Sequence, residues 1–507
     1  MSSSLLFAFV IGYFLLLLGI AWRTSRNSNN DSFFIGNRSS SWMLVAFGMI
    51  GTTLSGVTFV SVPGTVGVLA GGAPKGFGYL QVIIGNWIGC MVIAFVLLPL
   101  YYKLNLTSIY RYLQGRFGPV AYKTGALFFL ISRTVGATAR LYLVIDVLYV
   151  TILRDMGISF WVATLVILVM ILLYTFEGGV RTIVYTDTLQ TTFMLLGLVV
   201  CIVFILQHSG TSVAGAWHGL QSGGYSKVFD LNWRGDGFFL KQIVGGVFIM
   251  IAMTGLDQEM MQKNISVRNL KDSQKNFVTF SFIMVLVAFL FLLLGGLLYQ
   301  YGLQQGAVYK GSTLAMNGHP IAGDDLFPAL ALHYMPQYVS IIFIIGLISA
   351  LFPSADGALT ALTSSFCIDL LDLKNRPGYD EKRLRRTRMT VHFSFALLFL
   401  LCILVFKWVN KTSIIYTILS LAGYTYGPLL GLFAFGIFTK RVLPNTGKIT
   451  VICLLAPVIC YFLAENSARW FGGFRIGLEL LLINGVLTFL GLWALSRPKG
   501  PVAAATR

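Results

Sequence analysis

The sequence predicts an all-α polytopic membrane protein with about 13 transmembrane helices, and three observations carry that prediction. Of its 507 residues, 56% are hydrophobic and only 11% are charged, and the mean hydropathy is +0.78. A soluble protein carries about 25% charged residues, so the bilayer must be the solvent for this surface. The apolar residues are gathered in runs near the roughly 20 residues that cross a hydrocarbon core. The basic residues gather in alternate loops between those runs, as membrane orientation requires.

The expected spans are 5–22, 42–70, 78–102, 123–152, 157–175, 182–207, 240–260, 276–302, 339–372, 389–408, 412–438, 448–464 and 476–496. With the span-end residues Lys123, Lys407 and Lys448 counted in the loops they adjoin, odd-numbered loops and the C-terminus hold 25 of the 37 Lys and Arg, and even-numbered loops hold 9. The other 3, Arg133, Arg140 and Lys241, fall inside spans or at their edges. This asymmetry puts the N-terminus outside and the C-terminus in the cytoplasm of a cell inner (plasma) membrane. The net charge of +18 is thereby explained by orientation, and nucleic acid is excluded as a partner. No obligate protein partner is evident, and the bilayer is the expected surroundings. Met1–Ser4 lacks a basic n-region, so the first run is read as a span and not as a cleaved signal. The six cysteines all lie in apolar stretches without metal spacing and are expected to be core residues. The longest outside loops, 208–239 and 303–338, are not low-complexity and are too short for a clear domain.

Two spans are too long and too polar to be simple helices. The second carries Gly51, Thr52, Thr53, Leu54, Ser55, Gly56 and Thr58, then Ser61, Pro63 and Gly64. Hydroxyls, glycine and proline at mid-span weaken a helix. Irregular backbone at membrane depth survives where it is buried or lines a cavity, and secondary transporters use such breaks to present carbonyls to ions. Packing through small residues is the plainer reading of the same segment. The ninth span is disturbed in the same way around Ser349, Ala350, Pro353, Ser354, Asp356 and Gly357. A carboxylate such as Asp356 inside a membrane segment is a functional candidate by default. Asp187 sits about one and a half turns inside the cytoplasmic end of span six, where it could pair with a base or face an ion path. Asp257, Gln258, Glu259 and Lys263 close the seventh span and read equally well as a solvated helix end.

Enzyme signatures are missing. The five histidines are scattered without a triad or metal spacing. The glycines of Gly71–Gly76 lack the spacing of a phosphate loop, so no ATP-driven pump is indicated. The expectation is a protein that is not an enzyme.

Several segments, in order, resemble the sodium–solute symporter family. They are Asp31–Arg38, Thr53–Gly64, Thr107–Phe117, Gly178-Gly179 with Tyr185–Gln190, Asp257-Gln258 with Gln262-Lys263, and Asp324–Pro336. The resemblance covers most of the chain and suggests a bacterial member. It implies a five-plus-five inverted-repeat core with broken helices inside a single transporter domain, 1–507. The first repeat would be 42–207 and the second 240–438, with 5–22 and 448–496 peripheral. It also implies secondary active transport by alternating access: sodium-coupled symport of a small organic solute into the cytoplasm. No cofactor is implied beyond sodium as the coupling ion.

By the same resemblance, sodium would be held by the carbonyls of Gly51, Leu54 and Ala350 and the hydroxyl of Ser354, with Asp187 nearby. Oxygen ligands suit a hard cation. The family often has two adjacent hydroxyls in the ninth-span motif. Here Pro353 replaces the first, and Gly357 replaces another hydroxyl further along, which argues against a second sodium. One sodium suffices energetically. A charge crossing about 100 mV gives roughly 2.3 kcal/mol, and a tenfold gradient adds about 1.4 kcal/mol. Thr52, Thr53, Ser55, Thr58, Gln81, Asn86 and Tyr424 are the candidate solute contacts, and interhelical hydrogen bonding is an equal alternative for each. Ile83, Met250 and Met253 stand where the family's sugar carriers are polar, which points away from a hexose. The alternatives are a proton-coupled symporter, or a transport-like sensor that binds solute without accumulating it. A sensor is expected to carry a signalling domain, and about ten residues follow the last expected span.

Overall fold

The computed structural model describes residues 3–25, 40–70, 72–175, 179–321, 323–373, 380–409 and 414–498. The stretch Asp31–Arg38 and Gly178, both part of the family resemblance, lie outside the described residues.

The described chain is a helical bundle. The membrane helices, in chain order, are α1 (Ser3–Ser25), α2 (Trp42–Thr53), α3 (Gly56–Thr65), α4 (Tyr79–Val92), α5 (Pro119–Leu148), α6 (Phe160–Thr175), α7 (Gly179–His208) and α8 (Phe239–Met250). They continue as α9 (Gln258–Ile265), α10 (Leu270–Gln304), α11 (Gln337–Ser365), α12 (Glu381–Val409), α13 (Ile414–Thr425), α14 (Gly427–Phe438), α15 (Lys448–Trp470) and α16 (Leu480–Leu495). π-Helical turns extend α4, α5, α8 and α11 at their C-terminal ends. Among the described residues, 8 helices are long and apolar enough to cross a membrane, or 11 if each bent pair is one span. The expected spans 157–175 and 476–496 fall on α6 and α16, of 16 residues each. At 1.5 Å per residue such helices reach about 24 Å, less than the roughly 30 Å core.

Three membrane segments are bent: α2 with α3 by 54°, α8 with α9 by 64°, and α13 with α14 by 45°. The break expected in span two is present. The ninth span corrects its expectation, because α11 runs unbroken through Pro353. Proline removes the N–H that would bond the carbonyl four residues back, that of Ser349, without ending a helix that is packed on all sides. Every residue from Gly346 to Ser365 is buried.

The bend between α8 and α9 is a second correction. Asp257 is extended there and caps α9, its side chain accepting from the amides of Glu259 and Met260. The segment read as a possible solvated helix end is wholly buried.

The faces of the bundle follow its solvent. Large apolar residues of α6 and α15, such as Trp161, Leu165, Leu454 and Phe462, are exposed outward, as lipid contact requires. The loop 303–338 folds into the antiparallel strands β3 (Val308–Lys310), β4 (Thr313–Met316) and β5 (His319–Ile321), followed by a short helix Leu326–His333. A two-stranded pair, β1 (Leu69–Ala70) and β2 (Ala73–Pro74), lies after α3. Gly64 at the end of α3 lies against the Gly323 backbone, where a side chain would not fit.

Candidate functional site

The site begins at the break in span two. Leu54 still donates its amide to the Ile50 carbonyl at 2.7 Å. Ser55 then turns extended, at φ −45° and ψ −177°, and Gly56 starts α3. Glycine is required at that point. A Cβ on Gly56 would run into a Val144 methyl of α5 and stand 3.5 Å from the Ala350 carbonyl oxygen of α11. The irregular backbone is therefore clamped between α5 and α11. Gly51 lies just before the break and donates its amide to Thr191 Oγ1 of α7 at 3.1 Å. Ser354 lies one turn past Ala350, and its hydroxyl is buried without a hydrogen-bond partner, as is that of Thr53. Unpartnered hydroxyl oxygens beside interrupted backbone form a donor set that fits a hard cation.

Next to this break lies a buried network of charge. Asp187 of α7 packs against Gly48 of α2 and accepts from Thr52 Oγ1 at 3.2 Å. Lys263 of α9 donates to Asp187 Oδ2 at 2.7 Å and to Thr52 Oγ1 at 2.8 Å, and approaches Glu259 Oε1 at 3.4 Å. Glu259 is also bonded to Arg133 of α5, which stands 3.9 Å from Asp257. Tyr426, between α13 and α14, donates to Asp257 Oδ2 at 3.0 Å. The second oxygen of Asp187 has no partner. Asp356 is held apart from these salt bridges by Tyr174, which donates to its Oδ2 at 2.8 Å, and by the Gly357 amide. Thr52 thus belongs to the charge network. Among the described residues, no group of three His, Cys, Asp or Glu could hold a metal ion.

The other solute candidates are spread between a cavity and the break. Gln81 and Tyr424 line a cavity of about 740 Å³ together with Thr65, Lys227 and Asp230. The Gln81 carboxamide donates to the Gly78 carbonyl at 2.9 Å and accepts from the Asp230 amide at 3.4 Å. Asn86 lies further along α4, buried, with its oxygen unpartnered. Ser55 and Thr58 are buried at the break and in the first turn of α3.

Sequence reasoning missed Arg140. It lies near the middle of the Pro119–Leu153 span and is only partly accessible. Among the described residues it makes no hydrogen bond or ion pair, though Arg133, Tyr426, Glu259 and Asp257 lie within its electrostatic reach. One turn back on α5, a side chain at Gly136 would meet nothing within 4 Å, so this face of the helix borders open space. One turn forward, Val144 touches the break. The available signal was the rarity of a mid-span arginine, which costs about 2.5–3.5 kcal/mol unless it is compensated.

A membrane bundle with bent helices, an interrupted segment rich in unpartnered oxygens and a buried charge network defines a secondary transporter. A model of the sodium:solute symporter family matches residues 33–448. The sodium/sialic acid symporter NanT of Aliivibrio fischeri is 24% identical over 94% of this chain and 90% of its own length. SiaT of Proteus mirabilis, also named a sodium/sialic acid symporter, is 23% identical over 95% and 94%. A solved structure of a Na⁺-coupled sialic acid symporter, substrate-bound and outward-open, superposes with a TM-score of 0.80 at 19% identity, covering 97% of this chain and 99% of that one. The chain belongs to the sodium:solute symporter family. It is a multi-pass membrane transporter that couples sodium to the symport of a small solute, with sodium as its coupling ion.

Proposed function

We propose that the solute is a small carboxylate, taken up into the cytoplasm with sodium across the cell inner membrane, and that Arg140 receives its carboxyl group. The observation that carries this reading is the unpartnered guanidinium of Arg140, beside the open space at Gly136. A guanidinium offers a planar fork of donors that matches a carboxylate bidentately. The names of the relatives, sodium/sialic acid symporters, support the same chemistry, because sialic acids are carboxylates. Sialic acid is the first solute to test.

Around this anchor, Thr53, Ser55, Thr58 and Asn86 would supply the polar contacts, and Gln81 and Tyr424 would stand in the entrance cavity. Sodium would bind at Gly51, Leu54, Ala350 and Ser354. The grouping into repeats 42–207 and 240–438 draws support from the bends, since the first membrane segment of each group is bent, at 54° and 64°. With the N-terminus outside and the C-terminus inside, a cysteine at Asp236 should label from outside intact cells and one at Arg383 should not.

The test is uptake in proteoliposomes with an inward sodium gradient. Labelled sialic acid, a panel of other carboxylates and their amides are compared. Accumulation should be confined to carboxylates and fall strongly in Arg140→Gln. Truncating one partner of a buried charged pair costs about 2–5 kcal/mol, or roughly 30- to several thousand-fold in apparent affinity. Equal transport of acid and amide by the unmodified protein would overturn the reading. Solute binding without sodium-driven accumulation would mark a sensor.

A further inference from the structure

The ammonium of Lys263 is coordinated as a bound cation would be. It lies 2.7 Å from Asp187 Oδ2, 2.8 Å from Thr52 Oγ1 and 3.4 Å from Glu259 Oε1, contacting oxygens carried by α7, α2 and its own helix α9. Its side chain is 3% accessible, so it does not extend to water. Lysine usually escapes a bilayer interior by snorkelling to the interface. Here the bend at Leu256–Asp257 turns α9 so that the residue is directed inward, and the cap supplied by Asp257 fixes that turn.

The place it fills adjoins the break. Thr52 is one residue from Gly51 and two from Leu54, and Asp187 packs against Gly48 of the same helix. Room for the lysine's neighbour is made by α11. A side chain at Gly357 would collide with the Glu259 carboxylate, so the glycine lets Glu259 lie against the helix. Asp187 keeps one oxygen unpartnered. The cluster of Asp187, Glu259 and Thr52 is therefore an oxygen-lined pocket whose two carboxylates meet two positive charges of the chain, Lys263 inside it and Arg133 on Glu259.

We infer that Lys263 is a built-in cation occupying the place of a second sodium, so that one sodium binds per protein and per solute. The ammonium neutralises Asp187 permanently, and the carboxylate thus adds order beside the break without recruiting an ion. An ammonium held by a carboxylate, a hydroxyl and a second carboxylate satisfies its three donors without water. This inference rests on sodium coupling, and it holds whichever solute is carried.

The test measures equilibrium binding of radioactive sodium to the purified, detergent-solubilised protein, with thermal unfolding over a sodium series as a second readout. The unmodified protein should saturate at one sodium. Lys263→Gln empties the pocket of its cation and should saturate at two, with a steeper dependence of unfolding temperature on sodium. Asp187→Asn leaves the ammonium with Glu259, a carboxylate that Arg133 also holds, and should weaken sodium binding roughly tenfold or more by repulsion. Asp187→Asn with Lys263→Gln removes both charges and should return to one sodium at near-original affinity. Two sodium ions on the unmodified protein would overturn the inference, as would a single sodium on well-folded Lys263→Gln. If Lys263→Gln does not fold, the double variant decides: failure to recover the affinity lost in Asp187→Asn makes Lys263 a structural residue only. Ser354→Ala separates this inference from the assignment of the primary ligands. A second sodium gained in Lys263→Gln, together with unchanged sodium affinity in Ser354→Ala, would retain the role of Lys263 and overturn that assignment.

Discussion

The carbonyl of Ala350 lies beside Gly56, so that a Cβ on the glycine would stand in ordinary contact with its oxygen, at 3.5 Å, and would collide with a Val144 methyl. Two membrane segments thus bring backbone together where one of them is interrupted, and no side chain separates them. Gly56→Ala should force α3 and the Val144 side chain apart and raise the sodium half-saturation. Overpacking of this kind costs about 1–3 kcal/mol. Adding Val144→Ala makes room and should restore most of the loss. A double variant as impaired as the single one would mean that the defect is not steric.

Ser354 contributes a hydroxyl that is buried and unpartnered among the described residues. If it ligates sodium, Ser354→Ala removes one bond to a charged partner, worth about 1.5–3 kcal/mol. That corresponds to roughly 10- to 100-fold in sodium affinity. Sodium-dependent uptake measured over a range of sodium concentrations is the check. An unchanged half-saturation would leave Ser354 as a packing residue. Sodium should also cease to raise solute affinity in this variant, and solute to raise sodium affinity, because coupling is reciprocal.

Thr58 and Asn86 lie on α3 and α4, and the Asn86 oxygen is unpartnered. Thr58→Ala and Asn86→Ala should raise the apparent solute constant more than the sodium constant. Two solute constants that remain at the original value would move the binding site away from this face.

Much of this arrangement was legible in the sequence because it rests on local chemistry. Apolar runs and alternate basic loops marked the bundle, and Gly51–Gly64 carried its own break in glycines, hydroxyls and a proline. The expectation of a second break at Pro353 failed because a helix buried on all sides tolerates a missing bond. The bend at Asp257 was hidden for the opposite reason. Asp257, Glu259 and Lys263 look solvated when read alone, and only Arg133, Asp187 and Tyr426 on other helices make their burial affordable. Such compensation is a property of packing between segments far apart in sequence. Arg140 was visible as a mid-span charge, but its lack of a partner could be seen only with its neighbours in place.

Arg133 and Glu259 provide the sharpest test of that packing. Their side chains are 3% and 2% accessible and are directly bonded, and Arg133 also stands near Asp257. A buried pair of this kind contributes little net stability, because the loss of hydration offsets the attraction. Breaking it is a different matter. Arg133→Gln leaves Glu259 sharing Lys263 with Asp187, and leaves Asp257 with the Tyr426 hydroxyl and the α9 amides alone. Removing one partner of a buried ion pair costs about 3–5 kcal/mol, enough to remove a large share of the stability of a typical domain. Glu259→Gln should be costly for the converse reason, since the Arg133 charge remains buried. The double variant Arg133→Gln with Glu259→Gln leaves two neutral amides of similar shape that can bond to each other. It should unfold at a temperature well above that of either single variant. Thermal unfolding of the four detergent-solubilised proteins gives the coupling energy directly. Single losses that simply add in the double variant would mean that the two residues stabilise the bundle independently, and that the network around α9 is not a cooperative unit.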